Sequence, residues 1–308
     1  MSPSLPHASN KTATLLIAIS AALYGLLAFF GTKLIHAHLS VENMLFWRFI
    51  VASAWMVGYS LFQNKKRGLK VTPTSRDVLF IFLLGGLCYS GSSGFYFVAT
   101  HYMGTGLAMV IFFSYPVIVA FFALLMDRAS LNWSLIIALM IMLIGLWLLR
   151  GQNTHTLSIL GVMYAILASL SYAIYVFGTR WRASTMGSDI STIIVCLGCA
   201  TTFLILTLIN HSFAVPQGWH DWFYVFALSI LTTAIPIQLM LEGLKRVSAL
   251  RASVLSSLEP LVTVAMGIGF LNETISVIQA VGCFLILFSA LAIQLQGLQL
   301  KFRASADN

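Results

Sequence analysis

The stretch Leu131–Leu149 reads LNWSLIIALMIMLIGLWLL and contains no charged side chain. A transmembrane helix needs about 20 mostly apolar residues to cross roughly 30 Å of hydrocarbon, so this stretch has the length of a membrane span. It lacks the alternation of apolar and polar residues that marks the roughly ten-residue strands of a membrane barrel. The stretch therefore predicts a helix that crosses a lipid bilayer.

The composition of the whole chain points the same way. Its 308 residues include 17 Lys and Arg and 9 Asp and Glu, only 8% of the total, and the mean hydropathy is +0.92. An average soluble domain is about 25% charged. With so few charges, a soluble protein would expose apolar side chains over most of its surface. The composition predicts a polytopic membrane protein and excludes soluble enzymes, nucleic-acid binders and secreted disulfide scaffolds.

Ten apolar stretches have the length of a membrane helix, and we number them as spans one to ten. The first is too long for the core of a signal peptide and lacks a clear cleavage site, so we expect it to be retained. The predicted spans are Ala13–Ile35, Leu45–Phe62, Val78–Thr100, Gly104–Met126, Leu131–Leu149, Leu160–Trp181, Ile190–Leu208, Trp222–Leu241, Ala249–Leu271 and Ile275–Leu298.

The lysines and arginines predict the orientation, because cytoplasmic segments of membrane proteins are enriched in them. With a cytoplasmic N-terminus, ten spans put thirteen basic residues on the cytoplasmic side and two, Lys33 and Arg150, outside. Both termini are therefore predicted to be cytoplasmic. The net charge of +8 then reflects topology and attraction to anionic headgroups, not binding of nucleic acid.

Two sequence patterns recur in the second half of the chain. FGTK (30–33) ends span one and FGTR (177–180) ends span six, while Pro116 and Pro260 lie midway along spans four and nine. These matches indicate a duplication of five spans. Because five is odd, the second half begins on the opposite side of the membrane, so the halves are inverted. Substrate sites of inverted repeats commonly lie near the midplane between the halves.

The predicted fold is an all-α integral membrane protein with ten transmembrane helices in two inverted five-helix repeats. The predicted segments are a cytoplasmic tail (1–12), a first repeat (13–149), an external linker (150–157), a second repeat (158–298) and a second cytoplasmic tail (299–308).

Glu259 lies near the middle of span nine. A charged residue at that depth costs roughly 2.5–3.5 kcal/mol on insertion scales, so the carboxyl is expected to face a cavity or a polar partner. A site that binds a cation or exchanges a proton and a neutral packing role both remain open. The adjacent Pro260 lacks a backbone donor and is expected to bend the helix there.

Arg48 lies about one turn inside span two. Its guanidinium could snorkel to the external headgroups or pair with Glu42. It could also attract a substrate carboxylate, which its planar five-donor fork suits. We favour a structural or gating role for Arg48. The same role is predicted for Pro116, Pro236 and Pro260.

Polar and aromatic side chains concentrate on spans one, three, four, six, eight and nine, whereas spans five and ten are almost purely aliphatic. The first group is therefore predicted to line a cavity and the second to form a scaffold. The candidate cavity residues are Glu259, Tyr24, Tyr89, Tyr115, Tyr172, Tyr175, Ser20, Ser93, Ser256 and Gln238.

Neither the cysteines nor the histidines predict a metal site or a cofactor. Cys196 and Cys199 have the spacing of a ligand pair but lack a second pair, so packing is the favoured role. His36 and His38 lie just beyond span one and have too few neighbouring ligands for zinc.

Four short motifs add to the length and the 5+5 arrangement: FWRF (46–49), SLSYA (169–173), LEPL (258–261) and NET (272–274). Together they make the chain resemble the drug/metabolite transporter superfamily, specifically the EamA-type ten-helix transporters of the inner (cytoplasmic) membrane. The chain departs from that family at LYG (23–25), where Trp-Gly is frequent, and at Asp127, where Glu is usual. These departures bear on the substrate and not on membership.

The resemblance implies a secondary transporter, not an enzyme, that works by alternating access. The candidate cavity residues, with several tyrosines, many hydroxyls, one carboxyl and one guanidinium, suit a small amphipathic or zwitterionic metabolite. Export of amino acids or related metabolites is the first expectation, and uptake or exchange of a nucleoside-like or vitamin-like compound is the alternative. A membrane-embedded enzyme is disfavoured because the loop carboxylates are scattered singly. Composition leaves a channel or structural protein open, but the proline-containing duplicated spans weigh against it.

The expected partners are a small-molecule metabolite and the lipid bilayer, without nucleic acid. Coupling to protons, and a monomeric or homodimeric state, remain open at this level.

Overall fold

The computed structural model describes residues 9–36, 39–67, 74–103, 105–126, 133–149, 158–183, 186–271, 276–289 and 292, and no β-strand occurs within these ranges. The first half of the chain contains α1 (Ser9–Tyr24), α2 (Leu27–His36), α3 (Val41–Arg67), α4 (Ser75–Leu83), a π-helical segment (Leu84–Tyr89), α5 (Ser90–Met103), α6 (Thr105–Phe112), α7 (Tyr115–Met126) and α8 (Trp133–Leu149).

The second half contains α9 (Ile159–Ala183), α10 (Ser188–Ile209), α11 (Gly218–Ser229), a second π-helical segment (Ile230–Ala234), α12 (Ile235–Leu244), α13 (Ala249–Ser256), α14 (Glu259–Leu271) and α15 (Val277–Ser289).

Within the described ranges, eight helical stretches are long and apolar enough to cross a membrane. They confirm eight of the predicted spans, all except spans five and ten. In those two places the structure has α8, whose apolar part is Ile136–Leu149, and α15 (Val277–Ser289). Both are shorter than a membrane span. The membrane-length stretches are Lys11–Gly31, Val41–Phe62, Ser75–Met103, Leu107–Met126, Ile159–Arg180, Ser188–Ile209, Gly218–Leu244 and Ala249–Phe270.

Spans one, four and nine are interrupted midway. Turns at residues 25–26, 113–114 and 257–258 separate α1 from α2, α6 from α7, and α13 from α14. Pro116 and Pro260 are each the second residue of the helix that follows the turn. A proline is tolerated in the first turn of a helix, where its missing N–H has no intrahelical partner to lose. The expected bends therefore take the form of helix breaks followed by new helices.

Spans three and eight each contain one of the π-helical segments, which begin at Leu84 and Ile230. Such segments are rare and often occur at functional sites. Their positions in the two halves correspond, as do the breaks before Pro116 and Pro260. The halves differ elsewhere, because α9 runs without interruption through the region that corresponds to the break after α1.

The first π-helical segment packs directly against α10 at a glycine contact. A Cβ atom on Gly85 would lie 2.5 Å from the backbone oxygen of Val195. On the facing helix, a Cβ on Gly198 would lie 2.7 Å from the backbone nitrogen of Gly86. Small residues allow membrane helices to approach this closely. The contact fixes the segment that ends at Tyr89 against the second half of the protein.

Candidate substrate cavity

A cavity of about 200 Å³ lies among helices of both halves. Its lining includes seven aromatic side chains, four serine or threonine side chains, one arginine and one glutamate. The lining residues are Tyr24, Leu27, Gly31, Arg48, Tyr89, Ser92, Ser93, Tyr96, Phe97, Thr100, Met109, Phe112, Phe113, Tyr172, Glu259 and Thr263.

All three helix breaks reach this cavity. Tyr24 and Leu27 flank the break in span one, Phe112 and Phe113 lie at the break in span four, and Glu259 begins the helix after the break in span nine. Helix ends carry backbone groups without intrahelical partners. In membrane proteins such ends are tolerated where they are buried in protein or line a cavity, and in many transporters they surround the substrate.

Gly25 allows two of these breaks to touch. A Cβ atom at this position would lie 2.6 Å from the Cβ of Val262 and 2.9 Å from the backbone oxygen of Glu259. The hydroxyl of Thr263 donates at 3.2 Å to both the Gly25 and the Glu259 carbonyls. The start of α14 is thereby held against span one, with Glu259 on the cavity wall.

Arg48 is buried, with 3% of its surface exposed, and it lines the same cavity. Its Nε donates to the hydroxyl of Thr233 at 2.6 Å, and Nη2 donates to the Thr232 carbonyl at 3.4 Å. The guanidinium therefore does not snorkel to the headgroups, because its partners lie on span eight.

Pairing of Arg48 with Glu42 is also wrong. The Glu42 carboxylate instead accepts hydrogen bonds from the Ser212 hydroxyl at 2.8 Å and from the Asn210 amide at 3.4 Å. These contacts join the start of α3 to the segment after α10 and leave Arg48 facing the cavity.

Glu259 is the second ionisable side chain of the cavity. Among the described residues, the hydrogen bonds at Glu259 involve its backbone carbonyl, and none reaches its carboxylate. A carboxylate in this position can accept hydrogen bonds from a bound molecule or take up a proton. One cavity thus offers both a guanidinium and a carboxyl group.

Tyr24, Tyr89 and Tyr172 form one wall of the cavity and belong to a larger cluster of tyrosines. The Tyr89 hydroxyl donates to that of Tyr24 at 3.1 Å. The ring of Tyr89 lies 5.9 Å from that of Tyr172 and 4.7 Å from that of Tyr175. Tyr172 in turn meets Tyr115 edge to face at 4.7 Å. Aromatic pairs at such distances stabilise each other beyond area burial, so this wall is firmly packed.

Six of the residues singled out from the sequence line the cavity: Glu259, Tyr24, Tyr89, Tyr172, Ser93 and Arg48. Five cavity candidates do not line it: Tyr115, Tyr175, Ser20, Ser256 and Gln238. The prolines Pro116, Pro236 and Pro260 do not line it either.

The five candidates outside the cavity are held by other contacts. The Tyr115 hydroxyl donates to the Ser253 carbonyl at 3.1 Å, and the Ser20 hydroxyl donates to the Pro236 carbonyl at 2.7 Å. Each of these bonds joins one half of the protein to the other. Tyr175 is 2% exposed. The Ser256 hydroxyl donates to the Ala252 carbonyl at 3.1 Å, and the Gln238 side chain bonds to Thr192 and Ser188.

Most of the aromatic lining residues were not predicted from the sequence. Tyr96, Phe97, Phe112 and Phe113 lie in apolar spans, where an aromatic residue facing lipid and one facing a cavity have the same sequence signature. Thr263 offers a weak signal, since it follows Glu259 by one helical turn and so lies on the same face.

The cysteine pair has a packing environment. The Cys199 thiol donates to the Gly85 carbonyl at 3.1 Å, and Cys196 is fully buried beside it on α10. Across the described part of the chain, no group of three or more His, Cys, Asp and Glu residues is arranged to hold a metal ion. His38 lies outside the described residues.

Comparison with known proteins identifies the family. The profile of the EamA-like transporter family matches residues 11–151 and 159–295. The uncharacterized transporter YcbK of Bacillus subtilis is 28% identical over 212 residues, which cover 65% of this chain and 66% of YcbK. The threonine/homoserine exporter RhtA of Escherichia coli is 27% identical over 202 residues, 64% of this chain and 65% of RhtA. The chain thus spans just under two thirds of the length of these relatives.

A solved crystal structure has the same fold. It superposes with a TM-score of 0.81 at 20% identity and covers 95% of this chain and 99% of its own. Together with the profile match over both halves, the motifs around Arg48, Tyr172 and Glu259 lead to one assignment. The chain belongs to the EamA-like transporter family of the drug/metabolite transporter superfamily.

Proposed function

We propose that the protein is a secondary transporter that carries a small amphipathic or zwitterionic metabolite by alternating access. Export of an amino acid or a related metabolite is the proposed direction and substrate class. The observation that carries this proposal is the cavity at the three helix breaks, which contains both Arg48 and Glu259. The similarity to RhtA, which is named as a threonine/homoserine exporter, supports the proposal of an amino-acid substrate.

The proposed topology has ten spans in two inverted repeats, 13–149 and 158–298, with a linker at 150–157 and both tails, 1–12 and 299–308, in the cytoplasm. The corresponding π-helical segments and helix breaks support the repeat. The apolar helices α8 and α15 lie where spans five and ten are expected. The basic residues support the orientation, and the proposed location is the inner (cytoplasmic) membrane.

In this topology the cavity lies in the external half of the membrane. Gly31 lies near the end of span one, Arg48 near the start of span two and Thr100 near the end of span three, all of which the topology assigns to the outer side. Ser256 and Gln238 lie toward the cytoplasmic ends of spans nine and eight, in packed surroundings. We infer an outward-facing state, and rocking of the halves would expose these inner residues to the cytoplasm.

Uptake or exchange of a nucleoside-like or vitamin-like compound is the second proposal. The seven aromatic side chains of the lining favour it, because they offer faces on which a flat heterocycle can stack. An enzymatic activity is not proposed, since the family and the named relatives are transporters.

Glu259 is proposed to bind a cationic group of the substrate or to exchange a proton during the cycle. The protein is proposed to act as a monomer or homodimer in the bilayer, without a cofactor.

Flux into proteoliposomes tests the role of Glu259. Uptake of L-threonine, L-homoserine and L-phenylalanine is measured from pH 5 to 9 for the wild type and for Glu259→Gln. We expect the variant to lose at least about tenfold in rate, the scale of a lost charge-assisted hydrogen bond, and to show a flatter pH profile. Asp221→Asn is the control, because Asp221 accepts a bond from the Gln217 backbone outside the cavity. An unchanged rate and pH profile in Glu259→Gln would contradict both proposed roles.

A further inference from the structure

The second π-helical segment holds Arg48 in a defined orientation. Thr233 is fully buried, and its hydroxyl donates to the Leu228 carbonyl at 2.9 Å. The lone pairs of that hydroxyl oxygen remain available, and they accept the 2.6 Å bond from Arg48 Nε. The Thr232 carbonyl accepts from Nη2 in the same segment. Two groups on one π-helical segment therefore hold the guanidinium in place.

This arrangement leaves part of the guanidinium fork without a hydrogen bond among the described residues. A guanidinium has five N–H donors, and the two bonds to span eight account for two of them. Arg48 is a lining residue of the cavity, and its other three N–H groups make no hydrogen bond within the described part of the chain. A buried cation requires a compensating partner, and a planar fork with free donors binds a carboxylate in bidentate fashion.

Glu259 does not serve as that partner in this state. Both residues line the cavity, but no ion pair joins them within the described part of the chain. The Arg48 guanidinium lies over the Phe49 ring, 4.9 Å from its centroid. The cavity therefore has a basic group on the side of span two and a separate acidic group at the start of α14.

We propose that Arg48 is the carboxylate-binding group of the cavity and that Thr233 is the residue that positions it. The substrate class is narrowed to molecules that carry a carboxylate, with any ammonium group directed toward Glu259. This inference rests on the proposed function and replaces the structural or gating role that the sequence favoured for Arg48.

Binding of acids and their carboxamides tests the proposal. Calorimetric titration of the purified protein compares L-threonine, L-homoserine and L-phenylalanine with the three corresponding carboxamides, which keep the amine and side chain but lack the carboxylate. For at least one pair we expect the acid to bind at least about tenfold more tightly, as for a charge-assisted hydrogen bond. The same preference should fall in Arg48→Lys, because an ammonium lacks the planar fork.

Variants of Thr233 separate positioning from general stability. Thr233→Val removes the acceptor for Arg48 Nε and should weaken binding of the acid about tenfold while leaving the carboxamide unchanged. Thr233→Ser keeps the hydroxyl and should restore the preference. Thr207→Val is the matched control, because Thr207 is fully buried and its hydroxyl donates to the Leu204 carbonyl of its own helix.

The outcomes distinguish this inference from the proposed function. If the acids and carboxamides bind equally to the wild type, the carboxylate role is overturned while ligand binding stands. An equal loss of both ligands in Thr233→Val overturns the positioning role. Failure of every acid and carboxamide to bind overturns the amino-acid proposal together with this inference. If Thr233→Val does not fold, the preference for the acid over the carboxamide is still measured in the wild type, in Arg48→Lys and in Thr233→Ser. Those three measurements then test the carboxylate-binding role of Arg48.

Discussion

The Glu259 carboxylate reaches the cavity because a glycine lies opposite it on span one. Gly25 brings the break between α1 and α2 against the first turn of α14, where a Cβ atom would meet Val262 at 2.6 Å. The hydroxyl of Thr263 bridges the two backbones at this point. The position of the Glu259 side chain in the cavity therefore depends on the absence of a side chain at Gly25.

Gly25→Ala should lower the thermal unfolding midpoint of the purified protein. The added methyl overlaps both a side chain and the backbone oxygen of Glu259, and overpacking of this kind costs about 1–3 kcal/mol. Gly58→Ala is the control, because no atom lies within 4 Å of a Cβ there and the residue is exposed on α3. The control should be neutral or stabilising by up to about 1 kcal/mol. Equal midpoints for Gly25→Ala and the wild type would show that span one and α14 do not depend on this contact.

Whole elements position the tyrosine wall. The π-helical segment Leu84–Tyr89 directs two glycines at α10 and ends with Tyr89, whose hydroxyl and ring contact Tyr24, Tyr172 and Tyr175. The corresponding segment Ile230–Ala234 holds Arg48. A π-helical turn changes the register of the helix on its two sides. In the first half, the π-helical segment carries the cavity residue Tyr89. In the second half, the π-helical segment bonds to the cavity residue Arg48.

Gly85→Ala should destabilise the protein more than Gly25→Ala does. Its new Cβ would lie 2.5 Å from the Val195 oxygen and 2.8 Å from the Val195 Cα, and backbone atoms cannot rotate away. Unfolding midpoints measured in the same detergent test this order. Gly94→Ala is the matched control on α5, because its nearest neighbour would be a Phe203 ring carbon at 4.0 Å. A midpoint for Gly85→Ala close to that of Gly94→Ala would contradict the tight packing of α10 on this segment.

At the scale of the whole molecule, the proposed inversion of the halves depends on an odd number of spans in each. In the described part of the chain, eight helical stretches have membrane length, and the shorter α8 and α15 complete the proposed ten. Since eight and ten are both even, the location of the two termini does not distinguish these numbers. The segments before and after α8 do distinguish them. Ten spans place these two segments on opposite sides of the membrane, whereas eight spans place them on the same side.

Cysteine labelling of intact cells tests the crossing at α8. In a background with Cys88, Cys196, Cys199 and Cys283 replaced by alanine, single cysteines are introduced by Asn153→Cys and Ser130→Cys. A membrane-impermeant thiol reagent should label the cysteine at 153 from outside, and the one at 130 only after permeabilisation. Labelling of both from the same side would show that α8 does not cross, and it would exclude the inverted 5+5 arrangement.

Part of the site could be predicted because burying charge in a membrane is costly. Glu259 and Arg48 stand out in apolar spans, and the tyrosines Tyr24, Tyr89 and Tyr172 lie on spans with several polar residues. Ser20 and Gln238 stand out for the same reason, yet they bond to Pro236 and to Thr192. A polar side chain requires a partner, but its local sequence does not reveal whether that partner is the protein or a ligand.

Hydropathy and the length of apolar runs are local properties, so the membrane class and eight of the spans followed from the residues alone. The sequence also predicted bends near Pro116 and Pro260, because a proline disturbs the helix that contains it. The structure has helix breaks at these places. The cavity depended instead on contacts between residues far apart in the chain, such as Arg48 with Thr233 and Gly25 with Glu259. Which face of each helix lines a cavity is set by the packing of its neighbours, and that packing is a property of the folded bundle.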